Sequence, residues 1–266
     1  MRLFILCVCL SMLIFAAACS KDKDKDESHY CFMNDTEFYD FIFAHNWGLD
    51  LYVSETGKSN LVVYMYGVWA IDSIMSPDDT YTLKLNNFDV PVTNEDGNPY
   101  FNNGEGKILP MTTSIEVVFT RNGTILLNKS VTVPAQPTDI VAPSTWNLAQ
   151  PMTFSWTLSR NSHTQYVDFY AECDTTYGSN YYDDLYTYLA PSARTLTYPA
   201  NSLSLDGPLN HGSLRLTQFN FAEYSDNYIM VILSGYYLYN PAKRQLVKAD
   251  AKDIMNRLPQ RPYNHK

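Results

Sequence analysis

The chain has 266 residues, 45% of them hydrophobic, and a formal net charge of −9. Its 28 acidic against 19 basic side chains, with no basic stripe interleaved with aromatics, exclude the electrostatic footprint of a nucleic-acid-binding protein. The length is ample for two domains of about 100 residues each.

In chain order, the first signal is Arg2 followed by Leu3–Ala18, 16 residues almost without a polar atom. That run is shorter than the roughly 20 residues a membrane-crossing helix needs. A charged start, an apolar centre and small residues before a cut are the parts of a secretory signal, here residues 1–18. Ala16-Ala17-Ala18 runs directly into Cys19. This resembles the lipobox of bacterial lipoproteins, and the resemblance implies cleavage between Ala18 and Cys19 with acyl chains such as palmitate attached at Cys19. An ordinary secretory signal, leaving a free thiol, and an uncleaved signal anchor are the alternatives. One acyl chain binds a membrane only marginally, whereas two or more hold firmly, each buried methylene contributing about 0.8 kcal/mol. The implied partner is therefore a membrane reached through lipid, and the implied location is the bacterial outer membrane. Loss of Arg2 with the signal takes the net charge from −9 to −10.

Residues 19–29 form the lipidated tether. Ser20–Glu27 alternates Lys and Asp without an apolar residue, so it is solvated chain that cannot join a core. Residues 20–30 reach at most roughly 36 Å when extended. The run also resembles the surface-export signals of Bacteroidota lipoproteins, which implies a place on the cell exterior. It is no calcium loop, because Glu27 stands where glycine is required and Met33 where the bidentate acid belongs.

The body reads as strands. Tyr81, Leu83 and Leu85 alternate with polar residues, as do Ile115, Val117 and Phe119, and Phe154 and Trp156; period two means one face on a core and one in water. Leu61–Tyr66 and Tyr228–Leu233 are continuous apolar runs that suit strands buried on both faces. Leu214 and Leu216 fall out of phase with Phe219 and Phe221, which predicts a bulge near Thr217-Gln218. Turns are expected at Ser76–Asp79, Asn94–Asn98, Asn102–Gly104 and Asp206–Pro208, and Asn122-Gly123 is the strongest hairpin signal. Pro134, Pro137, Pro143 and Pro151 interrupt any ladder. The expected division is a β-sandwich over 30–137, a Pro-rich linker over 138–151, a second sandwich over 152–240, and a basic extension over 241–266 that holds seven Lys/Arg. Short helices are expected after Asp35, carrying Phe38, Phe41, Ile42 and Trp47, and over 246–258 before Pro259.

Phe154-Ser-Trp156, Tyr166-Val-Asp-Phe-Tyr170 and Thr195–Leu203, with Pro199 between, resemble fibronectin type III and related immunoglobulin-like modules. The resemblance implies Trp156 and Tyr166 pointing inward on neighbouring strands and a corner that returns Leu203 to the core. The fold class is all-β, with two tandem sandwiches.

No GxSxG elbow, HExxH pair or Gly-rich phosphate loop occurs. His29, His45, His163, His211 and His265 are scattered and read as exposed; no cofactor or metal is called for. Beyond the signal and anchor only Cys31 and Cys173 remain; they read as buried or independent thiols, with a disulfide between them, which export permits, as the alternative. The richest constellation is Tyr177, Tyr181, Tyr182, Asp183 and Asp184, taken as an inter-strand loop; among 21 tyrosines such a cluster can be purely structural, or its rings can anchor a protein or stack on sugars. Tyr186 and Tyr188 nearby fit core-facing sites, and Trp156 reads as core. Trp47, Trp69 and Trp146 are further candidates, and Asp78-Asp79 and Asp183-Asp184 could supply calcium donors. The reading is a non-enzymatic binding or assembly module at the cell envelope, with glycan binding through residues 177–188 as alternative and a hydrolase least favoured.

Overall fold

The computed structural model describes residues 30–247, apart from 31, 33, 46, 57–58, 71–75, 96–97, 102–105, 144–146, 175–179, 206–208, 225–228 and 241–244. Among the described residues the helix α1 (Asp35–Phe43) opens the order. Then come β1 (Trp47–Thr56), β2 (Asn60–Ala70), β3 (Tyr81–Leu85), β4 (Phe88–Val90), β5 (Val92–Glu95), β6 (Asn98–Phe101), β7 (Lys107–Pro110), β8 (Ser114–Arg121) and β9 (Thr124–Thr132). They are followed by β10 (Thr138–Val141), β11 (Met152–Thr157), β12 (Thr164–Asp174), β13 (Asn180–Leu189), β14 (Thr195–Tyr198), β15 (Leu209–Tyr224), β16 (Ile229–Asn240) and β17 (Gln245–Val247). The fold is all-β, built as two sandwich units.

The first unit takes residues 42–133 and 220–236. One sheet runs β4-β3-β8-β9 and the other runs β16-β1-β2-β7. Tyr81, Leu83, Leu85, Ile115, Val117 and Phe119 fill the space between them with Leu49, Leu51, Leu61, Val63, Val231 and Leu233. Full burial of each such side chain stabilises by about 1.5–3 kcal/mol. Val62, between Leu61 and Val63, is buried too, so this stretch of β2 is covered on both faces. Asn122 (φ 51°) and Gly123 (φ 76°) make the tight β8–β9 turn, the positive-φ pair that matches strand twist. Asn86 (φ 48°) and Asn87 (φ 65°) do the same between β3 and β4.

The second unit takes residues 134–219, joined by the chain up to Phe41 and by 237–247. Its sheets are β10-β11-β14 and β13-β12-β15. Met152, Phe154 and Trp156 face Val167, Phe169, Leu214 and Leu216, and Leu203 returns to this core after Pro199. The Trp156 indole N–H donates to Gln165 Oε1 at 3.1 Å. The Gln165 amide in turn donates to the carbonyls of Ala190, Pro191 and Ala193, which pins the turn after β13 to the core.

Several expectations change. The boundary is not a linker over 138–151: β10 lies inside it and pairs with β11. Nor are the units contiguous. Tyr30–Phe41 packs with the second unit, and β1 pairs in parallel with β16, Trp47 opposite Ile229. Trp47 therefore begins a strand instead of extending the helix. The β12–β15 ladder is regular from Phe219 to His211 and shifts only at Glu172/Cys173, so no bulge sits at Thr217-Gln218. The phase slip has another cause. Leu214 and Leu216 face the sandwich core, while Phe219 lies on the opposite face against Phe38 of α1, ring centroids 5.1 Å apart. The expected helix over 246–258 lies outside the described residues beyond Val247, and 245–247 is strand. The turn at 102–104 and that at 206–208 also lie outside them.

Candidate ligand-binding face

Alternation decides where each side chain of β12 points. Val167, Phe169, Ala171 and Cys173 enter the core, and Cys173 is a buried free thiol; Cys31 lies outside the described residues. Tyr166, Asp168, Tyr170 and Glu172 take the other face. Register then builds a row around them. Tyr166 lies beside Tyr188 and Thr217, Asp168 beside Tyr186 and Arg215, and Tyr170 beside Asp184 and Ser213.

At one end this face is closed by the N-terminal segment. Tyr30 stacks on His163 at 4.5 Å, and buried Phe32 meets Phe38 and Tyr188 edge-on. The Tyr188 hydroxyl donates to Asp35 Oδ1 at 2.8 Å. Burial and then that hydrogen bond push the Tyr188 phenol upward. Tyr166, next to it, is driven up by burial and by the nearby Asp168 charge. This corrects the inward Tyr166 implied by the module resemblance: it is buried, but under α1 and not between the sheets.

Farther along, Arg215 Nη1 and Asp168 Oδ2 form an ion pair at 3.0 Å, each side chain 7% exposed. The Arg215 guanidinium sits 5.9 Å from the Tyr170 ring centroid, within cation–π range. Tyr170 donates to Glu172 Oε2 at 3.2 Å. Tyr186 is 51% exposed, stacks on Tyr166 at 5.9 Å and donates its hydroxyl to Asp184 Oδ2. Burial first, and the Asp184 bond second, raise its pKa. These phenols stay protonated at neutral pH and serve as donors. A half-open aromatic ring beside a carboxylate can stack on a flat ligand, or hold a cation or a hydroxyl.

The sequence candidates are thus split by the strand that holds them. Residues 180–189 form β13, a strand and not a loop. Asp184 joins the face, whereas Asp183 points the other way and accepts from the Ser204 amide at 2.7 Å. Two carboxylates on opposite sheet faces cannot share a calcium ion. Tyr177 lies outside the described residues, and of Tyr181 and Tyr182 only the strand backbone is described, as for Trp47 and Trp69; Trp146 lies outside. Tyr186 is exposed, against its core-facing reading, whereas Tyr188 is buried in keeping with it. Of the members the sequence reading missed, Tyr186 is signalled by the period-two spacing of Asp184, Tyr186 and Tyr188 on β13, whereas Tyr170 on β12 and Arg215 on β15 join the face only through strand pairing.

Asp79 is no calcium donor either. Its carboxylate accepts from Arg121 Nε at 2.7 Å, Asn122 Nδ2 at 2.7 Å, the Ser76 amide at 3.1 Å and the Tyr81 hydroxyl at 3.2 Å. The Arg121 hydrogen bond, then that of Asn122, lower its pKa to about 2. His45 is buried, not exposed, with Nε2 3.4 Å from Glu223. Among the described residues no three His, Cys, Asp or Glu side chains are grouped as metal ligands would be.

No protein-family model matches the chain, and no curated protein matches it. Among solved structures, a cytokine receptor complex is similar at 12% identity and a TM-score of 0.28, covering 70% of this chain and 97% of that one. A two-domain fibronectin type III segment from chicken tenascin is similar at 14% identity and a TM-score of 0.23, covering 70% and 96%. At those scores neither likeness carries an argument, and the all-β assignment rests on the strand pairings themselves.

Proposed function

We propose that the protein is a lipid-anchored, non-enzymatic binding module of the bacterial cell envelope, held on the outer membrane through Cys19. The face of β12, β13 and β15 meets its ligand. The observation that supports the binding role is Tyr186, an exposed ring stacked on buried Tyr166 with Asp184 on its hydroxyl. A large aromatic left half in water at a fixed angle is a ready contact anchor. Support for the anchor is the Ala16-Ala17-Ala18-Cys19 sequence.

Palmitate labelling and membrane fractionation of wild type and Cys19→Ser test the anchor. The expected result is a labelled, membrane-bound wild type and an unlabelled variant; equal labelling of both removes the lipid. Protease shaving of intact cells reports whether the chain faces outward, as the Ser20–Glu27 run suggests. Sugar is the second reading, favoured by the same exposed Tyr186 ring. Oligosaccharide-array binding that survives Tyr186→Ala would eliminate it.

A further inference from the structure

Sheet edges present unpaired N–H and C=O groups, and proteins block them with short strands, proline, lysine or bulges. Most of the described edges here carry such a device. β4 and β17 have three residues, and β14 has four and runs into Pro199. β7 bears Lys107 and ends at Pro110, and β6 contains Pro99. β9 has Lys129 and a register shift. β10 has a shift and Asp139 at φ 49°.

β13 differs from all of these. It is ten residues long, without proline or lysine. It pairs with β12 in unbroken register from Leu189 opposite Gln165 to Asn180 opposite Asp174. Among the described residues no strand pairs with it on the side away from β12, and the Ser204 amide reaches only the Asp183 carboxylate, not the β13 main chain. Its middle, 183–187, is partly or fully exposed. Its only charges are Asp183 and Asp184.

We infer that the free edge of β13 accepts an extended, lysine- or arginine-bearing peptide segment as an added strand. Main-chain hydrogen bonds to the edge supply the affinity, and side chains on one face supply the choice of partner. A cation directly across from Asp184 meets a carboxylate, and the next residue on that face meets the Tyr186 ring. A second copy of β13 fits worse, because it brings two acids and no cation. The inference rests on the binding-module reading and is independent of the lipid.

The test is fluorescence anisotropy on the full mature chain, with an alternating lysine–valine heptapeptide as probe. Saturable binding is expected, with none for the glutamate–valine counterpart. N-methylation at alternate peptide residues, which deletes ladder donors, is expected to weaken binding by about tenfold or more. Asp184→Lys is expected to do likewise, while Asp89→Lys, an equal charge change on exposed β4, leaves it unaltered. Failure of the lysine peptide to bind overturns the inference, as does undiminished binding of the methylated peptide. Equal loss in both charge variants overturns it too, reducing the effect to net charge. Tyr186-dependent sugar binding without peptide binding overturns it as well, yet leaves the module reading standing; binding at neither ligand counts against both.

Discussion

Tyr188 and Asp35, 153 residues apart, share a 2.8 Å hydrogen bond that fastens α1 to β13. The chain that leaves the expected tether is therefore built into the second sandwich, with Phe32 and Phe38 seated beside Tyr188.

Phe32→Ala should destabilise the second unit by about 3–5 kcal/mol, the cost of an emptied aromatic site. Tyr188→Phe, which deletes only the hydroxyl, should cost about 1 kcal/mol. Urea unfolding followed by near-ultraviolet circular dichroism would rank the two. Equal, negligible losses would mean that the segment contributes nothing to the unit.

Asp79 makes acid stability measurable. Its pKa falls from 3.8 to about 2 on folding. The carboxylate therefore contributes in full above the unfolded value, and the contribution fades as pH drops from 3.8 through 2. Asp79→Asn should flatten the fall in melting temperature of the first unit over that window. An unchanged slope would contradict the assignment.

The Asp168–Arg215 pair, 3.0 Å apart and deeply buried, should show strong coupling. Asp168→Ala or Arg215→Ala alone should cost about 3–5 kcal/mol, because the remaining charge is left without its counter-ion. Asp168→Leu with Arg215→Met should cost much less than the sum of the singles. Additive losses in a double-mutant cycle would argue against a coupled pair.

Two glycines with similar backbone angles should respond differently. At Gly106 (φ 68°) an added Cβ falls 2.5 Å from Val62 Cγ1, whereas at Gly123 (φ 76°) nothing lies within 4 Å. Gly123→Ala should cost about 1 kcal/mol from the backbone alone. Gly106→Ala should exceed that by a further 1–3 kcal/mol or so, from overpacking against β2. Thermal melts of the two variants provide the comparison.

Strand periodicity was plain in the sequence wherever one face meets water, as at Tyr81–Leu85 and Met152–Thr157, and so was the Asn122-Gly123 turn. What escaped was whatever depends on distant partners. Phe219 falls out of phase with Leu216 because α1 covers the far side of β15, and no local pattern reveals a helix arriving from nearly two hundred residues away. Asn180–Leu189 has a strand's tyrosines and leucines at alternate places, but adjacent Asp183 and Asp184 gave it the look of a turn. The pairing of β1 with β16 has no local signature at all.

That pairing bears on how the molecule is made. Synthesis must pass residue 229 before Trp47 can find its neighbour, so the earlier sandwich stays unfinished while most of the polypeptide emerges. Contacts this remote in sequence form slowly. Residues 134–219 of the second unit are made before β16, so closure of the first unit waits until that stretch has emerged.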